Sequence, residues 1–327
     1  MSEDRSQNKE EYLQLEGGRV LAYAHTGNTS SNNVVIFLHG VFGVGRVNPK
    51  TIAPVFIEKG VHHLAPTLPG WGNSSPPPAS ATFHDYLYEV ITILVTHFHP
   101  DTSSIKLYIS GGSYGTMAAQ MLYGAPYDVF PLGRQIAGVM LIAPFSPPHI
   151  HKEYTKCLSW ANYTAIGPPS RYLPTMKLGK VMMEDKVNTL EKAAAFIHDF
   201  GFKKMTPGER EAFERFKEKH GIADGETEKT MGEGVYSSVA KTWEGFFAVA
   251  KVFHSGWGGY DPTSLDDEHA RKPVLLVMTH EDKDNKLMGE WLLKNMRNVR
   301  GRYEEGGHMA SMFVLDDIWA DFLSDCS

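Results

Sequence analysis

Three residues spread over the chain have the types needed to turn a hydroxyl into a nucleophile: Ser113, Asp282 and His308. A neutral serine hydroxyl is inert until a base lies within hydrogen-bond reach, and that base works best when a carboxylate orients it. Ser113 stands in Gly111-Gly112-Ser113-Tyr114-Gly115, after the apolar run Lys106 to Ser110 and before a stretch rich in Ala, Met and Leu from Thr116 to Leu122. The pattern reads as a strand that ends in a serine at a forced turn and restarts as a helix, a nucleophile elbow of the G-x-S-x-G type. A helix-capping serine is the plain alternative. Gly111 and Gly115 argue against it, because a tight turn between close-packed strand and helix needs missing side chains.

The base and the acid are sought downstream. Glu304-Glu305-Gly306-Gly307-His308 places a histidine on a glycine-loosened loop before the last helical segment. The chain has 15 histidines, most of which would lie on surfaces or in polar networks. His62, His63 and His280 have no comparable setting. The run Pro273 to Met278 reads as a strand and is followed by Thr279-His280-Glu281-Asp282-Lys283-Asp284. A carboxylate just past a parallel strand points into the crevice where such sheets bind ligands. Asp282 is the preferred acid, Asp284 a live competitor and Glu281 a lesser one; each could instead be a solvated loop charge. The preceding strand offers none, since Leu141 to Ser146 carries no carboxylate.

These side chains must be positioned by a sheet. Strand candidates are Arg19 to Ala24, Val34 to Leu38, His62 to Thr67 (weakened by two histidines and a proline), Lys106 to Ser110, Gln135 to Ala143, Pro273 to Met278 and Val299 to Tyr303. Asp85 to Phe98 and Phe313 to Leu323 read as amphipathic helices. Strands alternating with helical segments predict an α/β fold with a mostly parallel sheet. From Pro144 to about Arg271 the strand rhythm stops. Helical segments take over at Glu191 to Phe200, at Pro207 to His220, which Thr206, Pro207 and Glu209 start well, and at Tyr236 to Phe253. The expected organisation is a core over 1–145 and 271–327, with a helical cap inserted at 146–270. Trp257-Gly-Gly-Tyr260 could be a hinge or a plain turn, and the cap's aromatic pairs could line a pocket or bind the cap to itself.

Five ordered pieces give the chain a family resemblance. Phe37-Leu38-His39-Gly40-Val41-Phe42-Gly43 is similar to the His-Gly loop of capped α/β-hydrolase fold enzymes. Pro69-Gly70-Trp71-Gly72-Asn73-Ser74 is similar to their Pro-Gly-x-Gly-x-Ser loop. The elbow, the strand with its acid, and the late Gly-His complete the set. The order serine, aspartate, histidine is also theirs. Thr279 stands where that family usually has glycine, a small departure that leaves Asp284 open.

The resemblance implies Ser113 as nucleophile, His308 as base, Asp282 as acid, and His39 as a structural histidine. It also implies an oxyanion hole from the backbone N–H groups of Val41 and Tyr114, with Phe42 the nearest alternative. Phe42, Trp71 and Phe145 are expected around the acyl group. The reaction implied is cleavage of a carboxylic ester of small or medium size through an acyl-enzyme. The elbow is also similar to that of proline-type aminopeptidases, which need cap acids such as Glu184, Asp185, Glu191 or Glu244 to hold a free amine. Amide, lactone and carbon–carbon hydrolases share the machinery, and a non-catalytic binding protein on this scaffold is a third class. Epoxide hydrolases and haloalkane dehalogenases use aspartate where this chain has Ser113.

Composition fits this picture. With 327 residues, 42% hydrophobic and 21% charged, the chain can bury a large core. A net charge of −6 without a basic stripe gives no electrostatic reason to expect nucleic acid or an anionic membrane. Cys157 and Cys326 make neither a disulfide framework nor a thiolate metal site, and no metal or organic cofactor is expected. The polar start from Met1 to Glu10 does not resemble a signal peptide, and no apolar run reaches membrane-spanning length, so a cytoplasmic protein acting on a small acyl compound is expected.

Overall fold

A computed structural model describes residues 9–326; most of the polar stretch from Met1 to Glu10 lies outside them. Eight strands form one sheet: β1 (Glu11–Gln14), β2 (Val20–Gly27), β3 (Asn33–Leu38), β4 (His62–Pro66), β5 (Lys106–Gly112), β6 (Ile136–Ile142), β7 (Val274–Thr279) and β8 (Val299–Glu304). Their order is β1-β2-β4-β3-β5-β6-β7-β8. β1 and β2 join antiparallel, and all pairs from β4–β3 onward are parallel. β1 escapes sequence reading because four residues at an edge, only half buried, carry little pattern.

The central strands bury both faces, and their alternation shows it. Val34, Ile36 and Leu38, with Leu107, Ile109, Val139, Leu141, Leu276 and Met278, share one core. Val35, Tyr108, Met140, Ile142, Leu275 and Val277 belong to a second core on the other face. Each such side chain stabilises the fold by about 1.5–3 kcal/mol relative to exposure. In β4, the two histidines are tolerated differently from what their polarity suggests. His62 is fully buried, and its ring nitrogens meet His25 Nδ1 at 3.2 Å and His99 Nε2 at 2.9 Å, so imidazoles satisfy one another.

Helices cover the faces. α1 (Pro54–Glu58) is short. α2 (Phe83–Phe98) starts where Thr82 accepts the Asp85 N–H, and α3 (Gly115–Tyr123) follows β5 directly. Between β6 and β7 lie α4 (Trp160–Ile166), α5 (Thr175–Val187), α6 (Leu190–Ile197), α7 (Pro207–His220), α8 (Glu226–Ala240), α9 (Glu244–Phe253) and the short α10 (Asp267–Ala270). α11 (Lys283–Asn295) and α12 (Leu315–Asp325) close the chain, α12 placing Trp319, Phe322 and Leu323 in the second core.

The single helix expected from Tyr236 to Phe253 is two, broken at Lys241–Trp243, and α8 begins ten residues earlier than read. The segment Glu191 to Phe200 ends in a π-helical turn, His198–Phe202. α4 and α5 have no counterpart among the helical segments read from the sequence. In α5 the apolar residues Leu178, Val181 and Met182 face outward, so no buried stripe marks it. Trp257–Gly259 forms a short 3-10 turn with Trp257 buried.

Candidate active site

The elbow is built by strain and by absent side chains. Ser113 has φ 50°, in the left-handed region that non-glycine residues rarely occupy. Its N–H donates to Ile142 O at 2.8 Å, and its carbonyl accepts from Thr116 N at 2.9 Å and Thr116 Oγ1 at 2.6 Å. Those bonds hold the turn at the top of β5. A Cβ on Gly111 would overlap Gly115 O, and one on Gly115 would overlap the carbonyls of Leu38 and His39. Only glycine fits either place. Ser113 itself is half-buried.

The loop after β3 lies against it. A Cβ on Gly40 would sit 3.4 Å from Ser113 Cβ. Within that loop His39 is 5% exposed: its Nδ1–H donates to Gly40 O at 2.8 Å, and Nε2 accepts the Leu68 N–H at 2.9 Å. Burial holds this ring neutral, lowering it to about 4, with the Gly40 bond acting the other way. Phe42, at φ 59°, aims its ring among Trp71, Phe196, Trp243 and Phe246. Among the described residues the backbone N–H groups of Val41 and Tyr114 have no hydrogen-bond partner.

The acid and base arrive on loops tied to each other. His280 N–H donates to Glu304 O, and Glu281 N–H donates to Gly306 O, both at 3.0 Å, so the turns after β7 and β8 are laddered. Asp282 caps α11 and accepts from His308 Nδ1 at 2.5 Å. That bond leaves Nε2 as the free nitrogen of a partly exposed ring. Asn285, one turn into α11, donates to Ala143 O at 2.9 Å and locks this turn to the end of β6. Thr279, where a glycine would be usual, is the last residue of β7 and buried, so the turn begins beyond it.

Asp284 points elsewhere. Its Oδ2 accepts from Ser159 N at 2.8 Å and Asn162 Nδ2 at 2.7 Å, holding the start of α4. Glu281 is exposed. The structure therefore joins Asp282 to His308 and gives Asp284 to the helical segment. Ser113 and Gly40 meet; among the described residues Ser113 Oγ makes no hydrogen bond.

The other expected site residues are placed as follows. Trp71 is buried against Gly245, His39 and Tyr114. Tyr114 is buried too, its phenol pushed up by that burial. Phe145 has its N–H bonded to Thr116 Oγ1 and its carbonyl to Gln120 Nε2, with its ring edge-on to Phe253. Of the three residues expected around the acyl group, Phe42 alone has appreciable exposure. Asn285, Thr116 and Gln120 escaped sequence reasoning because lone polar residues inside helices carry no spacing signal. Among the described residues no group of histidine, cysteine or acidic side chains could hold a metal ion, and no helix is long and apolar enough to cross a membrane.

Comparisons with known proteins bear on the family and the fold. The model of the alpha/beta hydrolase family matches residues 35–321. Among solved structures, the esterase RhEst1 from Rhodococcus sp. ECU1013 superposes with a TM-score of 0.58 at 16% identity, covering 98% of this chain and 99% of that one. The esterase EaEST from Exiguobacterium antarcticum gives 0.56 at 15% identity, covering 96% and 98%. A hydrolase from Pseudomonas aeruginosa PA01 gives 0.56 at 13% identity, again covering 96% and 98%. At such identities these likenesses speak to the fold. No curated protein matches in sequence.

Proposed function

The chain belongs to the alpha/beta hydrolase family, and from that premise we propose that it is a serine hydrolase cleaving a carboxylic ester of a small or medium acyl compound. In this reading residues 1–145 and 271–327 form the catalytic core and 146–270 a cap, and the protein works in the cytoplasm without a cofactor. The observation that carries the reading is the 2.5 Å bond from His308 Nδ1 to Asp282, which leaves Nε2 free to act as a base, together with a serine held at φ 50° on the elbow.

The steps follow from those groups. Nε2 of His308 takes the Ser113 proton as Oγ bonds to the ester carbonyl carbon, and Asp282 stabilises the imidazolium. The negative oxygen is received by the unpaired N–H groups of Tyr114 and Val41. His308 returns the proton to the departing alcohol. Water, deprotonated by the same nitrogen, then releases the acid and restores Ser113. Ser113 Oγ must come within hydrogen-bond reach of Nε2 as substrate binds, a tightening common to such sites.

The ester reading is favoured over an aminopeptidase by where the cap acids lie. Glu184, Asp185, Glu191 and Glu244 are all exposed, and Asp185 is paired with Lys192. Incubation with a fluorophosphonate and with a panel of acyl esters, lactones and prolyl arylamides tests the proposal. Labelling at Ser113 with ester turnover, both lost in Ser113→Ala, is expected. A folded, unlabelled and inactive wild type would leave the binding-protein reading standing, and ester turnover by Ser113→Ala would overturn the covalent mechanism.

A further inference from the structure

His308 is held from two sides. On the sheet side its loop is laddered to the turn after β7. On the other side, the Gly307 N–H, immediately before His308, donates to Glu209 Oε1 at 2.8 Å. Glu209 belongs to the first turn of α7 and is 6% exposed. Its second oxygen, Oε2, accepts the Thr206 N–H at 2.8 Å, while Thr206 Oγ1 accepts the Glu209 N–H at 3.2 Å. A capping box needs only one side-chain oxygen at this position, and glutamine serves as well as glutamate. The carboxylate thus has an oxygen beyond the needs of its helix, and that oxygen takes the loop carrying the histidine.

The loop is shaped around it. Gly306 has φ 106°, and a Cβ there would overlap the Glu209 carboxyl. A buried carboxylate is costly unless its oxygens are bonded, and here both accept charge-assisted bonds from backbone amides. The same part of the helical segment touches the other flank. The Met309 thioether lies against Gly201, and the Phe200 ring stands edge-on to the His308 ring at 6.3 Å.

We infer that Glu209 is a positioning residue: by holding Gly307 it keeps the His308 ring on Asp282, so that the seating of α7 is a condition for an aligned base. This rests on the reading of His308 as the base of a serine hydrolase. Thr206 offers the control, because its hydroxyl serves the capping box and does not touch the loop.

Two measurements separate positioning from helix stability in the full chain. The first is the rate of fluorophosphonate labelling. The second is the low-field proton resonance of the His308–Asp282 hydrogen bond, identified by its loss in His308→Gln. Glu209→Ala is expected to slow labelling by about 10–100-fold, as misplacement of a catalytic group by an ångström does, and to broaden the resonance. Thr206→Ala should lower the melting temperature yet leave both readouts near wild type. Glu209→Gln, close to isosteric and able to accept only one of the two N–H groups, should fall between and guards against misfolding of the alanine variant.

Wild-type labelling and resonance in Glu209→Gln and Glu209→Ala would overturn the inference. So would equal losses in Thr206→Ala, which would make the effect one of helix stability. If wild type is not labelled at all, the serine hydrolase reading fails, while the resonance still reports whether Glu209 holds the histidine.

Discussion

The sheet and the helical segment between β6 and β7 treat apolar residues in opposite ways. In β7 every residue is buried, and Leu276 has no exposure at all. Along α4 and α5, Trp160 is 82% exposed, Val181 73% and Leu178 63%. The sheet is packed on both faces, which suits groups that must exchange a proton. The helices meet one another through small residues and aromatic rings, as where Gly232 abuts Ala194. Several of their apolar side chains are left outward-facing, away from any core cluster. In the proposed enzyme the first region would fix the chemistry and the second the choice of substrate.

The sharpest test of that division compares two carboxylates in one turn of α11. Asp282→Asn is expected to lower ester turnover by about 10⁴-fold, because the amide favours the wrong imidazole tautomer. Asp284→Asn should change turnover far less and show its effect in KM, since its partners lie at the start of α4. Similar kcat losses for both would break the division. Next in size, Leu276→Ala should destabilise by about 3 kcal/mol in urea unfolding, from lost burial and the cavity left behind. A loss under about 1 kcal/mol would mean the sheet is less tightly packed than its burial implies.

Acid should weaken the sheet side. His39 is held to about 4, against an ordinary 6.5, by burial, and its Nε2 must stay unprotonated to accept the Leu68 N–H. A base whose folded value is depressed contributes stability that is full above pH 6.5 and lost as pH falls toward 4, about 3 kcal/mol at the limit. The melting temperature should therefore fall across that window, and less steeply in His39→Gln. A pH-independent melting temperature would contradict the burial of this ring. The smallest effect is expected outside: Leu178→Ser on α5 should change stability by less than about 0.5 kcal/mol. A larger loss would show that this face is covered in solution.

What was legible from sequence follows the same boundary. The strands from Val34 to Val277 were readable because burial on both faces demands continuous apolar runs, and the elbow because Gly111 and Gly115 have no substitutes. His308 and Asp282, which the structure joins by a hydrogen bond, stood out as the late members of an ordered set. The competition between Asp282 and Asp284 was not resolvable, since two carboxylates two residues apart differ only in the direction they leave a turn. α4 and α5 were invisible because outward-facing apolar residues leave no amphipathic period. Glu209 was seen as a helix start, but its contact with Gly307 joins positions 98 residues apart, and no local pattern records that.

The opening turn of α11 faces two audiences at once. A rotation of that turn about its own axis would drag Asp282 from the histidine and Asp284 from Ser159 and Asn162 together. In the proposed enzyme, a change in α4 that loosens the grip at position 284 would therefore also tug on the turn that carries Asp282.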